Sequence, residues 1–279
     1  KLISRRALVA FVSGPVSTPL TLGRFGLGAT SVWLLHTQKR ASVGVSEPEI
    51  RNDLPAEKSL GDILELDGIH VEFAPDLVNM VLDPGVGLDA RISNMRTHVA
   101  TSYGLILPEI RLTDDPSLAS GSYVVRIQGV EMAHASLRSN QVLALDPDSN
   151  PDLPAGENVT EPVYGAPARW IDSSAQDDAV LSGTTLVSPT EVLATHLLEV
   201  IKKNLNRLLS MKTMRRLLDE MVNLTDQART EANRKLLDEM IPDRVPSDLL
   251  HNILRLLLAE QVSIRNLPLI LEATAEGLP

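Results

Sequence analysis

Two short stretches of the chain carry residues whose types and spacing could do chemistry. In Glu161-Pro162-Val163-Tyr164-Gly165-Ala166-Pro167-Ala168-Arg169-Trp170-Ile171, a carboxylate and two of the chain's eight aromatic side chains stand among proline and glycine. Rigid turns that present an aromatic anchor make peptide-binding surfaces. The same residues allow a plainer reading, in which Trp170 starts a strand and fills a core, and Tyr164 is divided evenly between the two roles. In Val192-Leu193-Ala194-Thr195-His196-Leu197, a threonine and a histidine interrupt an apolar helix. They are either satisfied polar groups of the core or the polar edge of a groove.

Other chemistry finds no support in the spacing. The six histidines, at 36, 70, 98, 134, 196 and 251, never fall within five residues of one another, so no metal-binding histidine pair exists on one helix. There is no phosphate loop, dinucleotide turn or nucleophile elbow. The paired carboxylates Asp114-Asp115, Asp177-Asp178, Asp219-Glu220 and Asp238-Glu239 are sequence neighbours that point apart, and they read as solvated surface along with Lys202-Lys203 and Arg215-Arg216. Zero cysteines exclude thiol catalysis, zinc–cysteine sites and iron–sulfur clusters. A net charge of −10 and only 3% aromatic residues argue against a nucleic-acid partner. No active site, metal or cofactor is expected. The rival from another class is a hydrolase or transferase on an α+β layer, with convergent polar groups around His196.

The elements that must hold these residues can be read from the apolar pattern. Ile63–Leu66 and Ile69–Phe73 read as strands. Leu88, Ile92, Met95, Val99 and Tyr103 then mark one face of a helix, with Gly104 at the position of a left-handed cap. Strands are predicted at 105–112, 122–129 and 141–145, giving a small α+β layer. A Pro-, Asp- and Asn-rich loop covers 146–156, and short strands follow at Trp170-Ile171 and Thr184–Val187. Ser188-Pro189-Thr190-Glu191 is a capping box that opens a helix through Leu208. Helices are expected over 213–223, 231–240, 247–261 and 267–276, the last behind Asn266.

Ahead of the regular pattern, Ala7 to Leu35 carries a single formal charge, Arg24, between basic flanks. Within it, Pro19 to Leu35 is the better candidate for a last transmembrane helix, ending at Trp33 before Lys39 and Arg40. An irregular Gly-rich tail is the alternative. Residues 37–62 read as a linker. The chain starts at Lys1 rather than methionine, so it is expected to be part of a longer one.

Six blocks occur in a characteristic order. They are Arg91-Ile92-x-x-Met95-Arg96, Gly104-Leu105-x-Leu107-Pro108-Glu109-Ile110-Arg111, Tyr123-x-x-x-Ile127-x-Gly129-Val130-Glu131, the Glu161–Ile171 stretch, Val192-x-Ala194-Thr195-His196-Leu197 and Val262-Ser263-Ile264-Arg265-Asn266-Leu267-x-x-Ile270-Leu271-Glu272-Ala273. In order and spacing they resemble the export-gate family shared by flagellar and virulence type III secretion (FHIPEP), from about Asp62 to Pro279.

The resemblance implies a flagellar export gate of the bacterial inner membrane, cytoplasmic from about residue 37 onward, with a virulence gate as the alternative. It implies a homo-oligomeric ring, docking of chaperone–substrate complexes, and contact with other export apparatus proteins through the linker. The implied divisions are 1–36 as the end of the transmembrane region, 37–62 as linker, 63–139 plus 189–208 as a ferredoxin- or RNA-recognition-like α+β subdomain, 140–188 as a small inserted β-rich one, and 209–279 as an all-helical one. The implied docking residues are Glu161, Tyr164 and Thr195, with Val187 as apolar floor; Tyr164 would seat in the partner and Glu161 would aim a charge at its rim. The family more often has Asp and Phe at the first two positions, so this chain lengthens both groups. The segment Phe73–Pro84 also departs from the family's commoner pattern, as in a divergent branch.

Overall fold

A computed structural model describes residues 66–146 and 153–278 of the chain. The segments expected as a transmembrane helix and linker, residues 63–65 of the strand predicted at Ile63–Leu66 and residues 147–152 of the predicted loop lie outside the described residues; Leu66 is not in a strand. Among the described residues no helix is long and apolar enough to cross a membrane.

The first sheet takes shape around strand β1 (Ile69–Phe73), whose alternate residues Ile69, Val71 and Phe73 are buried. A 3₁₀ turn at Pro75–Leu77 and the single turn α1 (Val78–Val81) lead to helix α2 (Leu88–Tyr103). Leu88, Ile92, Met95 and Val99 are its buried stripe, as their helical spacing requires. Gly104 ends it in the left-handed region at φ 79°. A Cβ there would stand 2.6 Å from the backbone nitrogen of Arg265, so glycine is needed for the conformation and for the close approach.

Strand β2 (Ile110–Asp114) returns parallel to β1, while β3 (Ser122–Ile127) pairs antiparallel on β1's other side and β4 (Val130–Ser136) pairs with β3. The order is β2-β1-β3-β4. Two differences from the sequence reading have local causes. The strand predicted from Leu105 begins only at Ile110, because Pro108 brings no amide to a ladder. The strand predicted to Gly129 stops at Ile127, because Gln128 and Gly129 both take positive φ and turn the chain directly into β4.

The second sheet is antiparallel throughout, in the order β6-β7-β5-β8, from β5 (Gln141–Leu145), β6 (Gly156–Thr160), β7 (Pro167–Asp172) and β8 (Thr185–Val187). Its two faces feed different cores. Val142, Ala144 and Ile171 meet Ala179 of the short helix α3 (Gln176–Leu181) in a small cluster. Leu143, Ala168 and Trp170 join the main core, which also holds Val192, Leu193, Leu197 and Ile201 of helix α4 (Pro189–Lys203). One helix therefore packs into a core shared with both sheets.

The start of α4 follows from its capping box. Glu191 N donates to Ser188 Oγ (3.3 Å), and Ser188 N donates back to Glu191 Oε2 (3.0 Å), with Pro189 at the first helical position. The helix stops before its predicted end because Asn204 turns its side-chain amide onto the Val200 carbonyl (2.8 Å) and takes a non-helical conformation.

Beyond it stand α5 (Leu205–Leu208), α6 (Met211–Met221), α7 (Gln227–Met240), α8 (Ser247–Ala259) and α9 (Leu267–Glu276). Leu250, Leu254 and Leu258 give α8 its buried face, and His251 and Arg255 bond the Leu209 and Asn206 carbonyls at 2.7 and 3.0 Å. The α8–α9 connection is fastened to the end of α2, where Ile264 N donates to the Tyr103 carbonyl (2.8 Å). Over its described residues the chain is thus α+β, with two sheets followed by a run of helices.

Candidate functional site

Strands β6 and β7 are joined by a turn that closes on itself. Glu161 N donates to the Ala166 carbonyl (2.8 Å) and Gly165 N to the Glu161 carbonyl (3.0 Å), while Gly165 takes φ 73°. The Glu161 side chain completes the turn: Oε1 accepts the Val163 amide (2.9 Å) and Oε2 the Tyr164 amide (2.7 Å). Glu161 is 7% exposed and Tyr164 is 72% exposed. The expectation of a rim charge therefore changes. The carboxylate faces inward because its two oxygens serve two amides at the apex of the turn, and its work is to shape the turn that displays Tyr164.

Tyr164 leans over α4. Its hydroxyl donates to Glu199 Oε1 (3.2 Å), and the same oxygen accepts from Lys202 Nζ (2.7 Å). Desolvation and then the Glu199 charge raise the Tyr164 phenol above the usual tyrosine value, while the Glu199 bond raises the Lys202 ammonium. Thr195 is exposed and lies one turn before Glu199, so the Tyr164 hydroxyl reaches the helix face that also carries Thr195. Val187 is half-buried at the end of β8, immediately ahead of the α4 cap, and packs on the main core. The fold brings Tyr164 to the α4 face, sets Glu161 behind it, and leaves Val187 at the entrance to the helix.

Glu199 and Lys202 escape a sequence reading, since a Glu–Lys pair three apart on a helix looks like solvated surface. The available signal was that Glu199 follows Thr195 by four residues.

The two open alternatives for the neighbouring residues resolve toward the core. Trp170 is 4% exposed and belongs to the main core. His196 is 9% exposed, and its Nδ1 shares a 2.6 Å hydrogen bond with the hydroxyl of fully buried Tyr123 on β3, ring edge to ring face. Burial pushes the Tyr123 phenol well up and the His196 imidazole down, so both are neutral near pH 7. His196 has a structural partner rather than a substrate-facing position. Open clefts of about 850 and 970 Å³ lie elsewhere, the first lined by Gly104, Met221, Asn233 and Pro268, the second by Gly68, Pro108, Arg111 and Arg216. Among the described residues, no group of three or more potential metal ligands comes together.

The model of the FHIPEP family matches residues 5–279. The flagellar biosynthesis protein FlhA of Caulobacter vibrioides is 34% identical over 226 residues, which cover 81% of this chain and 31% of that protein. FlhA of Bacillus subtilis is 30% identical over 267 residues, covering 95% of this chain and 38% of that protein. The chain thus spans about a third of the length of these relatives.

Among solved structures, the Chlamydia pneumoniae CdsV protein superposes with a TM-score of 0.63 at 23% identity, over 80% of this chain and 62% of that one. The nonameric EscV cytosolic domain from the type III secretion system gives 0.50 at 17% identity, over 76% and 58%.

Proposed function

Because the chain belongs to the FHIPEP family, we propose that it is part of the export gate of a flagellar type III secretion apparatus at the bacterial inner membrane. From about residue 37 onward it lies in the cytoplasm, assembles into a homo-oligomeric ring and docks export chaperones loaded with substrate. The nonameric assembly of the EscV cytosolic domain, whose fold this chain shares, supports the ring. The flagellar reading is supported by the flagellar biosynthesis proteins of Caulobacter vibrioides and Bacillus subtilis, which share 34% and 30% identity with this chain.

The docking reading rests on one observation, an aromatic ring 72% exposed on a turn whose backbone is fixed from behind. An exposed, pre-ordered aromatic beside a helix face is the form that interface anchors take. Tyr164 seats in an apolar recess of the partner, Thr195 lines the adjacent helix face, Val187 supports the entrance to that helix, and Glu161 holds the turn. The protein acts by binding and assembly, without catalysis, cofactor or nucleic acid. Residues 19–35 anchor it in the membrane and 37–62 engage other export apparatus proteins. The subdomains are 63–139 plus 189–208, 140–188 and 209–279.

Replacing Tyr164 with alanine in the genome is expected to stop export of filament proteins carried to the gate by their chaperones. Normal filament-protein export by that strain, at wild-type levels of the gate protein, would overturn the docking reading.

A further inference from the structure

The Tyr164 side chain is held at both ends. Its backbone is fixed by Glu161 and by the closed turn, which sets the direction of the Cα–Cβ bond. A side chain 72% exposed would otherwise exchange among its staggered rotamers. Here its hydroxyl reaches Glu199 Oε1 at 3.2 Å. That acceptor is itself anchored: the Glu199 side chain is only 16% exposed, and Lys202 holds the same oxygen at 2.7 Å from one helical turn away. A polar strip of Tyr164, Glu199 and Lys202 therefore runs over the face of α4.

We propose that Glu199, braced by Lys202, is a positioning residue that locks the Tyr164 ring over α4 in its docking pose. The inference rests on the docking role proposed for Tyr164. It also gives the Tyr164 hydroxyl a use, since a phenylalanine there would offer Glu199 nothing to hold. A ring ordered before the encounter loses less rotamer entropy on binding, so the lock strengthens docking without touching the partner.

The test has an arm that needs no partner. In the 279-residue chain with ring-labelled tyrosine, NMR relaxation should show the Tyr164 ring ordered in the wild type. It should be clearly looser in Glu199→Ala and largely restored in Glu199→Gln, whose amide oxygen still accepts. Equal order in the wild type and Glu199→Ala would overturn the lock.

The second arm measures affinity for a filament-protein chaperone with its substrate from the same genome. Glu199→Ala and Tyr164→Phe should each weaken binding roughly three- to tenfold, the range for freeing one side chain. The double variant should be no weaker than either, because both remove the same bond. Additive losses, or none, would overturn the inference. Unchanged binding by Tyr164→Ala would instead remove the docking role itself, whatever the ring dynamics show.

Discussion

The carboxylate of Glu161 points into its own turn, and that geometry decides what its substitution should do. Each oxygen serves a different amide, so Glu161→Gln, with one acceptor oxygen, satisfies one of the two, and Glu161→Ala neither. Urea melts should show Glu161→Gln less stable by about 1 kcal/mol and Glu161→Ala by about 2 kcal/mol. Binding should weaken in the same order, whereas a simple rim charge would weaken binding and leave stability alone. His196 supplies a pH dependence. Burial lowers its pKa in the folded state below the ordinary 6.5, so the unfolded chain binds the proton first. The stability from keeping it neutral is complete above pH 6.5 and is lost as pH falls through the folded value. Thermal melts should therefore drop between pH 7.5 and 5, and His196→Asn, whose amide oxygen can take the place of Nδ1 and accept from Tyr123 but does not titrate there, should flatten that part of the profile. Little of this was legible in the sequence. A glutamate before proline reads as exposed, and only a folded turn shows two amides waiting for it; the Tyr123–His196 pair joins residues 73 positions apart.

Among the elements, α4 carries the most consequence, since its buried face shares one core with both sheets and its exposed face meets Tyr164. Ser188→Ala removes one half of its capping box and should cost about 1 kcal/mol in chemical denaturation. Gly104→Ala should cost more, because a left-handed conformation and a contact 2.6 Å from the Arg265 backbone oppose the added carbon together. An alanine variant as stable as wild type would show that the end of α2 and the α8–α9 connection are not held this closely. The elements that sequence reveals are those with a local cause. The Ser-Pro-Thr-Glu start of α4, the four-and-three spacing in α2 and the Asn266 cap of α9, whose side chain accepts from Leu269 N, all specify themselves within one or two turns. Strands β4 and β6 do not. Glu131 and His134 interrupt β4, and β6 reads Gly-Glu-Asn-Val-Thr with mostly exposed residues, so each exists because a neighbour offers it a ladder.

For the molecule as a whole, the site is a product of assembly rather than of any single element. The turn between β6 and β7 belongs to the second sheet, α4 packs into the core shared with the first, and the ring of Tyr164 stands where the two meet. Under the docking role proposed for Tyr164, this place receives loaded export chaperones. Calorimetric titration of the 279-residue chain with a filament-protein chaperone bound to its substrate tests it most directly, comparing wild type with Tyr164→Ala. A clear binding heat is expected for the wild type and none for the variant, with both chains unfolding at the same denaturant concentration. A Tyr164→Ala chain that binds the complex as tightly as the wild type would contradict it.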